Sequence, residues 1–313
     1  MFKRLLKWIG GIVALLLIVA AVFLVNLIWF RPWSLNAFYE KVFVEILFDE
    51  PELLSSVGLV EQFGITGHNA KLSDESPAHQ RKQSAHTRRS LEQLREYPLE
   101  RQTESQRLST KVMEWYLTVQ AEGERFQFHN YPVNQLFGVQ SRFPSFMANT
   151  HRLLAARDCE YYLKRLAALP AKFDQVLEGL RLREQMGITP PRFVVDKVLR
   201  EMREFVAKPA AENILASSFK ARASRIEKLS DADRADFQAR VEAAITTKVY
   251  PAYQKLIDYF ADLQPRTTTD DGVWKLPDGE AFYAHVLHQN TTTTRPAAEI
   301  HALGVAEVAR IEA

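Results

Sequence analysis

The apolar residues near the N-terminus form one unbroken run, whereas those in the rest of the chain recur with a helical period. The run is the 23-residue window Trp8–Phe30, which contains no charged side chain and one strongly polar residue, Asn26. About 20 apolar residues let a helix cross the hydrocarbon core of a bilayer with its backbone hydrogen bonds satisfied internally. The pattern predicts an N-terminal transmembrane helix over residues 8–30, with the lipid bilayer as its partner.

The charges beside this run predict its orientation. Lys3, Arg4 and Lys7 precede it and Arg31 closely follows it; because positive flanks stay in the cytoplasm, we expect a single-pass protein of the bacterial inner membrane with most of the chain in the periplasm. The alternative is a cleaved signal peptide, with an apolar region of about 7–15 residues and a small-x-small cleavage site. The bulky run before Arg31 is a poor cleavage site, so we expect the anchor to be retained.

The remaining chain predicts a mainly α fold, in which a transmembrane helix is followed by a helical bundle. We divide it into a membrane anchor, residues 1–33, and a helical domain, residues 34–313. Apolar spacing of three and four residues predicts most of the helices. Pro170 is expected to end one of them and Pro251 to kink another, because proline lacks the amide proton that a helix needs.

Two segments depart from the helical pattern. Residues 126–147 are rich in aromatic residues, Pro and Gly, and we expect ordered irregular structure there, with a short hairpin around residues 127–131. The last apolar helix, from Ala297 onward, has no C-terminal capping signal. We therefore expect the chain to be an incomplete part of a longer domain.

Composition narrows the function classes. Hydrophobic residues make up 47% of the chain and charged residues 25%, as in ordinary globular proteins. A formal net charge of +2 and the lack of basic–aromatic patches give no indication of nucleic-acid binding. The single cysteine, Cys159, lies in an amphipathic helical pattern and is expected to be a packing residue.

No known catalytic motif is present. None of the eight histidines is followed by Glu, so the His-Glu-x-x-His zinc motif is absent, as are the nucleophile elbow, the P-loop and the dinucleotide fingerprint. His285 and His288 have the spacing to share a metal on a helix, but no third ligand is placed, so we expect neither a metal site nor a catalytic residue in this chain.

Two segments carry a family resemblance. The first segment begins at Tyr131 and reads YPVNQLFGVQSRFPSFM; it is followed by His151 and by a predicted helix with Asp158 and Arg165. The second segment begins at Gly272 and reads GVWKLPDGEAFY; it is followed by Pro296 and by EIHALGVAEVARI. Together they resemble the bacterial family catalogued as domain of unknown function 885, over about residues 34–313.

The resemblance implies a helix-rich fold similar to the N-terminal half of clam-shell zinc metallopeptidases, including thermostable carboxypeptidases. Family members are about twice as long as this chain, and their His-Glu zinc helix lies in the second half. Zinc is therefore expected only in a full-length homologue, with no cofactor in this chain. One departure from the family pattern is Arg295, which stands where a Thr helix cap is expected before Pro296.

The same resemblance gives five residues a role in lining a peptide cleft: Asn134, Gln135, Gln140, Trp274 and Tyr283. Asn and Gln side chains carry both a donor and an acceptor suited to a peptide backbone; they could equally hold irregular backbone together, and Trp274 could be a packing residue. Two hypotheses remain: the N-terminal portion of a membrane-anchored metallopeptidase-like protein that binds peptides, or a non-catalytic anchored binding or scaffold module.

Overall fold

The structure is a computed structural model that describes the backbone of residues 2–313 and the side chains from Trp8 onward. The side chains of the predicted basic flank, Lys3, Arg4 and Lys7, lie outside the described residues. Within the described part the secondary structure is helical, with no strand, as the fold-class prediction required. The α-helices are α1 (Phe2–Trp29), α2 (Leu35–Asp49), α3 (Pro51–Val57), α4 (Pro77–Arg95), α5 (Glu104–Glu122), α6 (Val139–Asn149), α7 (Ala156–Gln185), α8 (Arg192–Ala207), α9 (Ile214–Ala223), α10 (Asp231–Ala244), α11 (Tyr250–Leu263), α12 (Gly279–Thr291) and α13 (Ala297–Glu312).

The chain forms two compact units. The first contains residues up to Asp49 and residues 85–118; the second contains residues 50–84 and 119–313. The predicted division into an anchor of residues 1–33 and a domain of residues 34–313 stays a prediction.

The first unit is organised around the end of the apolar helix α1. Residues Trp8–Trp29 form a 22-residue stretch of mean hydropathy 3.0, long and apolar enough to cross a membrane. Asn26 does not face lipid unpaired, because its Nδ2 donates to the carbonyl of Arg31 and its Oδ1 accepts from the amide of Trp33, both at 3.0 Å. Lys41 of α2 donates to the carbonyl of Phe30 at 3.1 Å. These contacts tie the C-terminal end of α1 to the chain that follows.

The second unit has its core around α7. This helix packs against α10 and α11, α11 also packs against α8, and α6 packs against α9. The largest fully buried apolar side chains of this core include Tyr162, Phe173, Phe219, Tyr253 and Phe260. Cys159 is buried in the same core, and burial raises the pKa of its thiol to about 11, which makes it an unreactive packing residue.

Two proline predictions have different outcomes. Pro170 does not end a helix, since α7 runs through it from Ala156 to Gln185. The apolar stripe continues on both sides, with Leu166, Leu169 and Phe173 all buried, and this packing outweighs the missing hydrogen bond. Pro251 does disturb its helix, because a π-helical turn at Ile245–Val249 separates α10 from α11 directly before it.

Residues 126–147, which were expected to be irregular, are irregular only in their first half. Residues 127–131 form turns rather than the expected hairpin, and α6 begins at Val139. Val139, Phe143 and Met147, four residues apart, are all buried, so a helical stripe was present among the aromatic residues. Further along the chain, Ser230 caps the start of α10, since its hydroxyl accepts from the amide of Asp233 at 3.1 Å.

Three buried cations lie along one face of α7. Arg165, Lys172 and Arg183 are 7 and 11 residues apart, which at about 100° per residue leaves them within about 20° of one line along the helix. Arg165 donates to the carbonyl of Lys71 at 2.8 Å and to the hydroxyl of Ser55 at 2.7 Å. Burial lowers the Arg165 pKa to about 10, so it remains charged at neutral pH. It thereby holds segment 55–71, which contains the end of α3 and two short 3-10 turns, against the core.

His151 completes this arrangement. Its Nδ1 accepts from Arg165 Nη1 at 2.9 Å, so the ring proton must reside on Nε2, which donates to the carbonyl of Asp158 at 3.1 Å. Burial, reinforced by the charge of Arg165, lowers the His151 pKa from 6.5 to about 3. The imidazole is therefore neutral in the folded protein over the ordinary pH range.

We expect this histidine to make the fold acid-sensitive. The unfolded chain takes up a proton on His151 below about pH 6.5, whereas the folded chain does so only near pH 3. The free energy of unfolding therefore falls as the pH decreases through this window, by up to about 1.4 kcal/mol per pH unit. Urea unfolding of the full chain in detergent should show that His151→Gln loses less stability between pH 7 and pH 5 than the wild-type protein does. His301→Gln, on an exposed face of α13, is the control; equal pH dependence in all three proteins would contradict the assignment.

Candidate functional site

A cleft of the second unit lies between the start of α3, the irregular segment before α4, and α6. It has a volume of about 640 Å³. Its floor is charged and its walls are largely apolar. The residues that line the cleft include Glu50, Glu52, Glu75, Leu136, Phe137, Arg142 and Lys172.

Lys172 forms the floor. Its side chain is only 5% exposed, is hydrogen-bonded to Glu52, and has its Nζ 3.3 Å from Oε1 of Glu75. Burial acts to raise the pKa of the Glu52 carboxyl, but the charge and hydrogen bond of Lys172 and the amide of Ser73 outweigh it and leave that pKa lowered. The floor is therefore an ion-paired triad in which the lysine is neutralised by two carboxylates.

The rim of the cleft carries less constrained charges. Arg142 on α6 is mostly exposed, with Nη2 3.7 Å from Oε1 of Glu75. Glu50 accepts from Nε2 of Gln83 at 2.8 Å and lies 3.6 Å from His79. A bound molecule would therefore meet both signs of charge at the mouth of the cleft.

A second depression adjoins the first. It has a volume of about 510 Å³ and is lined by residues 130–132 and 134–137, by the start of α8 and by Asp271. Leu136, Phe137 and Arg142 line both depressions. Phe137 is 77% exposed, which is unusual for a phenylalanine and leaves its ring available to a ligand. The two depressions thus lie on either side of an exposed apolar ridge formed by Leu136 and Phe137.

The loop that carries this ridge is held by its own polar groups. Asn134 donates to the carbonyl of Tyr131 at 2.8 Å and accepts from the amides of Leu136 and Phe137, both at 2.9 Å. Gly138 packs so closely that a Cβ there would lie 2.5 Å from the amide nitrogen of Asn134. The loop is therefore a rigid turn rather than a flexible lid.

Gln140 and Arg183 hold the loop from below. Gln140 is buried, and its Nε2 donates to the carbonyl of Asn134 at 2.6 Å while its own carbonyl accepts from the hydroxyl of Tyr253 at 2.5 Å. Arg183 donates to Oδ1 of Asn130 at 2.6 Å. The hydrogen bonds of Asn134 and Gln140 serve the loop itself, which supports the interpretation that these two side chains hold irregular backbone together.

The five residues predicted to line a cleft do not all lie in one place. Asn134 and Gln135 line the second depression, whereas Gln140 supports the loop from inside. Trp274 and Tyr283 are 68% and 44% exposed and line neither depression. Their role in binding stays a prediction.

Sequence reasoning missed the charged floor. Lys172 was hidden within the apolar pattern of α7, between Leu169 and Phe173, and its partners Glu52 and Glu75 lie 120 and 97 residues away in sequence. A cation on the buried face of a predicted helix is the signal that could have found it, because such a charge needs a partner.

No metal centre is apparent among residues whose side chains are described. In that part of the chain no three His, Cys, Asp or Glu side chains are grouped to hold an ion. The ring of His285 lies 5.7 Å from that of Phe126, and Nδ1 of His288 is 3.1 Å from the carbonyl of Thr293. Both histidines are thus engaged in local packing and hydrogen bonding.

Comparison with known proteins decides the family. The family model described as "Bacterial protein of unknown function (DUF885)" matches residues 51–313. The chain belongs to this family. No curated protein matches the chain.

A solved structure shares the fold of this DUF885 protein. It is "The crystal structure of the putative lipoprotein from Colwellia psychrerythraea", with a TM-score of 0.74 and 18% sequence identity. The match covers 85% of this chain and 48% of the other, so the chain spans about half the length of that structure. At this identity the likeness establishes the helical fold alone.

The ion-paired floor should be a major source of stability. Lys172→Met leaves Glu52 without its cation in a largely buried site and leaves Glu75 with only Arg142, so we expect a loss of about 3–5 kcal/mol in the free energy of unfolding. Lys255→Met is the matched control, because Lys255 pairs with Asp174 at 2.6 Å where both side chains are about half exposed; it should cost less than about 1 kcal/mol. Equal losses in urea unfolding would contradict the assigned role of Lys172.

Proposed function

We propose that this chain is the cleft-forming, N-terminal portion of a membrane-anchored, periplasm-facing protein related to zinc metallopeptidases, and that its cleft binds peptides. Family membership and the match to about half of a longer solved chain support this proposal. The observation that carries the peptide-binding part is the ridge of Leu136 and Phe137 between two adjoining depressions. An extended peptide presents side chains at regular intervals and could place neighbouring ones on either side of such a ridge.

The chain contributes binding rather than bond cleavage in this proposal. Among the residues whose side chains are described, no three His, Cys, Asp or Glu side chains are grouped as a ligand set for zinc. Each carboxylate on the floor is paired with a cation, Glu52 with Lys172, and Glu75 with both Lys172 and Arg142. The same pairing also favours the second candidate, a non-catalytic anchored binding module. The first candidate requires a longer homologue that adds a metal site, whereas the second, an anchored binding or scaffold module, requires none.

Peptide binding can be measured on the full chain in detergent. The probe is a fluorescein-labelled pool of random hexapeptides, and the readout is fluorescence anisotropy. Phe137→Ala should weaken binding about tenfold, since losing a buried phenylalanine contact costs at least about 1.5 kcal/mol. Leu154→Ala is the control, because Leu154 is exposed to a similar degree but lines neither depression.

Two results would contradict the proposal: no binding of the pool at millimolar concentration, or equal binding by the wild type and Phe137→Ala. A tightly bound stoichiometric zinc ion in this chain would contradict the assignment of the metal to a longer homologue, and it would bring His285 and His288 back as candidate ligands.

The anchor makes a separate prediction. The full chain should remain in the membrane fraction after an alkaline carbonate wash, and mass spectrometry should recover peptides N-terminal to Arg31. Asn26→Leu should keep membrane retention, because leucine suits the hydrocarbon core, but should lower the free energy of unfolding by about 1 kcal/mol through the lost bonds to Arg31 and Trp33. Release of the protein by the wash, or cleavage near residue 30, would show a signal peptide instead.

A further inference from the structure

The segment that leaves α1 exposes an unusual density of aromatic side chains. Trp29, Phe30 and Trp33 are 70%, 60% and 69% exposed. Large aromatic rings are seldom left in water, whereas tryptophan is enriched where a helix emerges from a bilayer, with its ring at the headgroup level. These three residues are thus suited to the boundary between headgroups and acyl chains.

A turn from far along the sequence is fixed at the same place. The hydroxyl of Tyr97 donates to the carbonyl of Pro32. Arg31 donates to the carbonyl of Glu96 at 2.8 Å, and its guanidinium lies 4.9 Å from the centre of the Tyr97 ring. The ring of Tyr97 also contacts that of Phe38, at 5.5 Å between centroids. Residues 96–97 are therefore held against the chain directly after α1.

This turn presents an apolar residue of its own. Leu99 follows Tyr97 by two residues and is 44% exposed. The turn is anchored on its other side by the buried Gln102, whose Nε2 donates to the carbonyl of Tyr97 at 3.2 Å and whose Oε1 accepts from the hydroxyl of Thr110 at 2.7 Å. With both ends fixed, the turn cannot fold Leu99 inward without losing these bonds.

We propose that Trp29, Phe30, Trp33 and Leu99 form one membrane-contact surface, the exit collar, which rests in the headgroup–acyl boundary of the bilayer that α1 spans. The inference rests on the fact that these side chains belong to one connected part of the molecule. The three aromatic residues lie at and just after the end of α1, and the turn that bears Leu99 is bonded to Arg31 and Pro32 between them. Lys41, which caps the carbonyl of Phe30, places its charge at the helix C-terminus, where a cation is favoured. The collar attaches the first unit to the bilayer at a second point besides the helix.

The inference rests on the proposed anchor, so its test separates the two. Single cysteines are introduced at Leu99, Leu16 and Arg89 and labelled with an environment-sensitive nitrobenzoxadiazole dye; native Cys159 is buried and serves as the unlabelled background. Each full-length variant is reconstituted into phosphatidylcholine vesicles containing a lipid with a nitroxide near the headgroup. Leu16 lies in the apolar stretch of α1, and Arg89 is an exposed residue of α4 in the same unit.

Leu99→Cys should be quenched at least about threefold more strongly than Arg89→Cys, as expected for a side chain about 5–10 Å deep in the interface, and Leu16→Cys should also be quenched. Quenching at Leu16 without quenching at Leu99 would overturn the collar and leave the anchor intact. Absence of quenching at both positions would overturn the anchor as well. Equal quenching at Leu99 and Arg89 would show nonspecific adsorption and would also overturn the collar.

Discussion

Three cations buried along one face of α7 hold the irregular parts of the second unit in place. Burying a charge costs several kcal/mol unless it is paired or fully hydrogen-bonded. Arg165 meets this requirement with carbonyl, hydroxyl and imidazole acceptors, Lys172 with two carboxylates, and Arg183 with Asn130. Arg165 and Lys172 thus both fix segment 52–75, and Arg183 fixes the start of the loop after Asn130; both segments contribute lining residues to the depressions. The cleft depends on a helix that contributes only Lys172 to its lining.

The apolar pattern predicted the elements better than their connections. The run Trp8–Phe30 and the stripes of the later helices were recognised because burial in lipid or in a helical core leaves a regular signature. Pro170 misled the prediction because local propensity is worth less than continuous packing, and α6 was missed because a stripe at four-residue spacing lay among prolines and aromatic residues. Long-range pairs such as Lys172 with Glu52 leave no periodic trace, so the floor of the cleft could not be read from the sequence.

Asn26, the one strongly polar residue in the apolar run, has a structural role that its position in the sequence did not reveal. Asn26 would weaken a membrane span if it faced hydrocarbon, but its amide closes the turn after the helix through Arg31 and Trp33. Polar side chains near the end of a span are tolerated where they reach the interface or a partner. The family match places this arrangement in a bacterial family described as proteins of unknown function, and the longer solved chain shares its helical fold.

The buried cations of α7 also bear on how the chain folds. Arg165 reaches a carbonyl 94 residues away in sequence, and Lys172 a carboxylate 120 residues away. Closing loops of this length costs entropy before any contact compensates, so such pairings form late. On this argument, segment 52–75 docks after the helices have assembled from nearer contacts. Until it docks, it is the part of the second unit that a protease reaches most easily.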